Sequence, residues 1–135
     1  MTDLTASMKL NHLSFPSTDV PATAGFFIKH LGFTLSAKLG GAYVIKRPGF
    51  DVVIDEAADY SPVWPENFHV GFELPCVEDV YALYDRFKAA GVHLETGVFN
   101  NDRGSRFFCR APGGVMFELN TRADAASKYQ GTFDS

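Results

Sequence analysis

Two phrases constrain this chain more than anything else in it: NHLSF at residues 11–15 and FHVGFEL at residues 68–74. Only four histidines occur among 135 residues, and two of them stand at the same place in these phrases. The residues downstream of each phrase repeat as well. After NHLSF comes PSTD, then Val20, Ala24, Phe27 and Leu31 at the spacing of one helix face, closed by Gly32. After FHVGFEL comes PCVED, then Val80, Leu83, Tyr84 and Phe87, closed by Gly91, where a helix commonly needs a left-handed residue to stop. The chain reads as two copies of one supersecondary unit.

Behind each glycine stand three strand-like segments: FTLSAKL, AYVIKR and DVVIDE in the first copy, VHLETGVF, SRFFCR and VMFELNT in the second. Pro48-Gly49 and Pro112-Gly113 each fall between the last two strands of their copy, as hairpin punctuation does. Each copy is therefore predicted as strand, helix, strand, strand, strand. The organisation expected is one domain over residues 1–135, made of a module at 8–58, a linker at 59–67, a second module at 68–121 and a tail at 122–135. The tail is compatible with a short helix or with disorder. Neither half is large enough to bury a sheet face comfortably by itself, so the copies are expected to share a core in a duplicated α+β domain.

Composition narrows the function classes. The chain is 46% hydrophobic with 13 Phe, and no apolar run approaches the roughly 18 residues that span a bilayer, so a soluble protein without a membrane partner is expected. A net charge of -4 without a cluster of Lys or Arg argues against nucleic acid and leaves small molecules as the expected partners. Cys76 and Cys109 fit no metal-binding or redox spacing and read as free thiols. The first residues, MTDLTASMKL, lack the basic start and apolar core of a secretory signal, which points to the cytoplasm.

Side chains alternate between the two faces of a strand, so parity sorts them. Leu13 and Phe15, then Val70, Phe72 and Leu74, then Val115, Phe117 and Leu119 form the apolar, helix-packed set. The opposite parity carries His12 and Ser14, then His69, Gly71 and Glu73, then Met116, Glu118 and Asn120. Two neutral imidazoles and a carboxylate with open positions suit Fe(II) and are acceptable to Mn, Zn or Ni. A histidine in a strand is more often hydrogen-bonded or solvated, but here both begin a repeat on the same parity, and Glu118 sits in an otherwise apolar strand where an unpaired charge is expensive. Arg106 and Arg110 read as exposed at a sheet rim, with contact to an anionic substrate as the other reading.

Taken together, NHLSF, the helix ending LGF, FHVGFEL, KAAGV and PGGVMFELN resemble the vicinal oxygen chelate superfamily, which includes glyoxalase I, extradiol dioxygenases, fosfomycin resistance proteins and bleomycin resistance proteins. The resemblance spans residues 8 to 121. It implies two paired βαβββ modules forming an open U-shaped barrel, a homodimer, and a divalent metal held by His12, His69 and Glu118. Ser14, Trp64 and Phe108 are the candidate substrate contacts, and Glu118 is also the candidate catalytic group. The fourth ligand of glyoxalase I aligns, turn to turn, with Ile54, which has no donor atom; a one-residue bulge would turn Asp55 inward instead. A tyrosine typical of dioxygenases and fosfomycin enzymes is replaced by Phe108. The resemblance thus implies a metal-dependent enzyme of dioxygenase, lyase or isomerase type acting on a small oxygen-rich substrate. The alternative it leaves is a metal-free small-molecule or drug-binding protein of the bleomycin-resistance type.

Overall fold

The first helix begins where the local chemistry asks it to. Asp19 caps helix α1 (Val20–His30) by accepting a hydrogen bond from the Ala22 N–H at 3.1 Å, and Pro21 sits in the first turn, where its missing N–H costs nothing. Lys29 and His30 stand in the last turn, against the negative end of the helix dipole. Gly32, at a φ of 74°, takes the left-handed turn that ends it. These features belong to a computed structural model that describes residues 4–134; the first three residues of the N-terminal segment and the last residue of the tail lie outside them. The chain divides between Val63 and Trp64 into two compact units.

In the first unit, α1 follows strand β1 (His12–Ser17) and precedes β2 (Thr34–Leu39), β3 (Ala42–Arg47) and β4 (Phe50–Glu56). The sheet order is β1-β4-β3-β2, with β1 and β4 parallel and the other pairs antiparallel. The register of β2 shifts between Leu35 and Ala37. Phe15, Ala24, Phe27, Phe33, Ile45, Val52 and Ile54 are buried as its core. The Phe27 ring meets that of Phe33 edge-on at 5.2 Å.

The second unit repeats the plan: β5 (Val70–Glu73), α2 (Val77–Ala89), β6 (His93–Leu94), β7 (Phe99–Asn101), β8 (Gly104–Arg110) and β9 (Met116–Asn120). Its sheet runs β5-β9-β8-β6, with β7 also paired to β8 and β5 parallel to β9. Glu78 and Asp79 open α2 while Arg86 and Lys88 close it, again matching the dipole. Val80, Phe87, Phe107, Phe117 and Leu119 are almost fully buried, and Tyr84 and Phe87 of α2 meet Phe107 edge-on at 5.3 and 5.9 Å. Helix α2 therefore covers the face carrying the odd-numbered residues of β8 and β9.

Two features differ from the sequence expectation. The single strand expected at VHLETGVF breaks into β6 and β7, because the N–H groups of both Glu95 and Thr96 turn to the carbonyl of Phe108 and interrupt the ladder. The tail is ordered as turns around a short 3-10 helix at Ser127–Tyr129. It is tied back to β8 through Asp124, whose carboxylate accepts from the Ser105 N–H at 3.0 Å and from the Ser105 hydroxyl at 2.6 Å. Among the described residues no helix is long and apolar enough to cross a membrane.

Gly104 makes that return possible. It has a φ of 102°, and a Cβ there would lie 2.1 Å from the carbonyl oxygen of Thr121. Gly104→Ala is expected to cost about 2 kcal/mol or more, from left-handed strain plus a backbone clash. Urea unfolding should show a lower midpoint, and a midpoint equal to wild type would mean that the tail does not pack here. Burial pushes the Cys109 thiol up to about 12. A thiol reagent should therefore modify Cys76 in the native protein and Cys109 only on unfolding, with prompt labelling of both contradicting this core.

Candidate active site

On the face of the second sheet turned away from α2, alternation brings together His69, Arg106, Phe108, Glu118 and Asn120. Strand register sets their spacing. Glu118 lies opposite Gly71 on one side and Phe108 on the other, while Asn120 lies opposite Arg106. His69, directly before β5, reaches Glu118 with Nε2 3.8 Å from Oε2. Its Nδ1 donates to the carbonyl of Asn67 at 3.0 Å, which orients the ring and leaves Nε2 as the nitrogen turned toward the carboxylate. Gly71 keeps the space beside Glu118 open, since a Cβ there would stand 3.4 Å from Oε2.

The Glu118 carboxylate already has partners. The Arg106 Nε lies 3.4 Å from Oε1, and the Asn120 amide donates to Oε2 at 3.2 Å. Arg106 is buried rather than at the rim, a correction to the sequence reading, because Glu118 compensates its charge. Burial drives the Arg106 pKa down, Glu118 opposes that shift, and Arg103 adds to it. Arg110 is the edge residue of the two. It pairs with Glu95 and donates to the Gly114 carbonyl at 2.7 Å.

His69, Arg106, Phe108, Glu118 and Asn120 line a cavity of about 530 Å³ in the second unit. One wall is aromatic: Phe108 stacks with Phe99 at 6.2 Å and meets the His69 ring edge-on at 5.2 Å. The tail forms another wall through Tyr129, Thr132 and Phe133. Among the described lining residues, Arg103, Arg106 and Arg122 stand against the carboxylate of Glu118, an electropositive set on a chain whose net charge is -4.

The other predicted residues have separate surroundings. His12 is exposed at the start of β1, with Nδ1 2.6 Å from the Asn11 Oδ1. Ser14 donates to Asp55 at 2.7 Å. Trp64 stacks on Phe68 at 5.2 Å and donates to the Gly113 carbonyl at 3.1 Å, bracing the turn before β9 instead of lining the cavity. Among the described residues, no three His, Cys, Asp or Glu side chains form a group able to hold a metal ion. The structure brings His69 and Glu118 together within the second unit, and His12 stands on β1 of the first.

Register also corrects the turn-to-turn alignment. Ser14 pairs with Val53 in the first sheet as Gly71 pairs with Glu118 in the second, so Val53 is the counterpart of Glu118. Ile54 belongs to the opposite, buried face, and Asp55 already shares the face of His12 and Ser14 without any bulge between β1 and β4. Gly114 is the reason, since it adds one residue between the turn and β9 that the first copy lacks.

The sequence and fold have known counterparts. Glutathione transferase FosA of Serratia marcescens is 31% identical over 120 residues, which make up 87% of this chain and 83% of that protein. A structure described as a possible glyoxalase, from Bacillus cereus, is 28% identical and superposes with a TM-score of 0.72 over 84% of this chain and 99% of its own. Lactoylglutathione lyase from Agrobacterium tumefaciens is 16% identical and shares the fold, with a TM-score of 0.70 over 86% of this chain and 95% of that one. Residues 9–119 match the domain that these folds exemplify, and the chain belongs to the Glyoxalase/Bleomycin resistance protein/Dioxygenase superfamily.

Proposed function

We propose that this protein is a metal-dependent vicinal oxygen chelate enzyme acting on a small oxygen-rich substrate. The observation that carries the reading is the His69–Glu118 pair, an imidazole nitrogen 3.8 Å from a carboxylate oxygen inside a cavity. The open space at Gly71 and the donor chemistry, one nitrogen and one oxygen, suit a divalent ion such as Fe, Mn, Zn or Ni. His12, from the first unit of the same chain or of a second copy in a homodimer, is the proposed third ligand. A bound ion would supply Lewis-acid stabilisation of negative charge on two neighbouring substrate oxygens.

The chain's own residues supply the rest. Asn67 orients the His69 ring, Phe108 packs against it and offers substrate an apolar wall, and Arg106 and Asn120 orient the Glu118 carboxylate. Ser14 and Trp64 have partners of their own, Asp55 and Gly113, and stand outside the proposed contact set. Among dioxygenase, isomerase or lyase, and thiol-adding chemistry, likeness to a glutathione transferase favours addition of a thiol to the substrate. A cytoplasmic setting, where such thiols are reduced, accords with the free Cys76 and Cys109.

One observation supports the metal-free binding protein as a second reading: Arg106 and Asn120 satisfy Glu118 without an ion. Elemental analysis separates the two. Protein purified without chelator is expected to carry near-stoichiometric metal that His69→Ala loses. Absence of metal from both proteins would discard the enzyme reading in favour of the binder.

A further inference from the structure

Arg122 is the most unusual charge in the second unit. It lies two residues beyond β9, its side chain is only 7% exposed, and it lines the cavity. Its Nη2 forms an ion pair with Glu73 that lacks hydrogen-bond geometry, and its Nε has no hydrogen-bond partner among the described residues. The guanidinium also lies over the Phe133 ring, whose centroid is 4.6 Å away. Phe133 takes up a φ of 72°, in the left-handed region that a phenylalanine seldom occupies, while presenting that ring. A buried guanidinium presents five donors in a planar fork, and leaving one of them unmade in a low-dielectric site is costly.

The neighbourhood says what would use those donors. Arg103 and Arg106 line the same cavity, and Glu118, the one carboxylate among its described lining residues, is engaged by Arg106. The Phe99–Phe108 stack offers a flat apolar wall, and Phe133 lines the cavity from the tail. The volume of about 530 Å³ falls within the range of small-molecule sites.

We infer that the cavity binds a small organic anion, with its oxyanion held by Arg122 and its ring-sized apolar body against Phe99 and Phe108. This deepens the proposed function by naming the charge class of the substrate, and it rests on that reading only for the identity of the cavity. A planar carboxylate matches the guanidinium fork, and the electropositive lining draws such ligands in. Arg122 is then a specificity-determining residue.

Binding of benzoate, benzyl alcohol and inorganic phosphate to the full-length, chelator-treated protein tests this by calorimetry or ligand-observed NMR. Benzoate should bind at least about tenfold more tightly than benzyl alcohol and than phosphate, and Arg122→Met should remove most of the advantage over the alcohol. Equal binding of benzoate and benzyl alcohol would overturn the anion assignment, and equal binding of phosphate would overturn the apolar half of it. Undiminished benzoate binding by a folded Arg122→Met would remove Arg122 from the site. Should that variant fail to fold, the wild-type comparison of the three ligands decides, and Arg122→Lys, which keeps charge but loses the planar fork, should show weakened benzoate binding. Because metal is absent throughout, protein that binds benzoate but never takes up metal refutes the metal reading alone. Protein that takes up metal but ignores benzoate refutes this inference alone.

Discussion

Parallel pairing of the first and last strands of each module is the constraint on which the rest of the structure depends. A parallel pair cannot be closed by a tight turn, so the chain between its members must travel. In both units that journey is a helix and then an antiparallel excursion, and the helix covers one face of the sheet. The other face is left free for chemistry. In the second unit the pairing sets Gly71 beside Glu118, and His69, two residues earlier on the same face, falls next to the carboxylate.

Buried charge gives this face its character. Arg106 and Arg122 are each more than nine-tenths buried, and Glu118 is 15% exposed. Groups so desolvated persist only when paired or when a ligand completes them. Arg106 and Glu118 answer each other, and Arg122 is answered in part by Glu73 and in part by an aromatic ring. Substituting Arg106 would disturb the carboxylate geometry, whereas the interactions of Arg122 reach outward to the tail.

The tail has more structure than its composition suggests. RADAASKYQGTFDS carries few large apolar residues, and nothing in its periodicity singles out a fold. Its order comes from contacts distant in sequence: Asp124 on Ser105, the Ala126 N–H on the Asp102 carbonyl at 2.7 Å, and the close approach of Thr121 to Gly104. Partial burial works to raise the Asp124 pKa, but the Ser105 hydrogen bonds, together with those from its own backbone and the Asn100 side chain, hold the carboxyl below its ordinary range. That anchor is therefore at full strength above the unfolded-state pKa of an aspartate and weakens as the pH falls through the lowered folded value.

Periodicity in the sequence alone determined the two modules, the helices ending at Gly32 and Gly91, and the sorting of His69 and Glu118 onto the face away from the helix. Alternation and helical spacing are local properties, so a chain states them residue by residue. Tertiary structure decided what depends on register and burial. One extra glycine, Gly114, moved the counterpart of Glu118 from Ile54 to Val53, because a shift of one residue exchanges the faces of a strand. Burial of Arg106 and Arg122 was likewise settled only when Glu118, Glu73 and Phe133 came to lie beside them, since a charge enters the interior on terms set by partners that sequence spacing does not reveal.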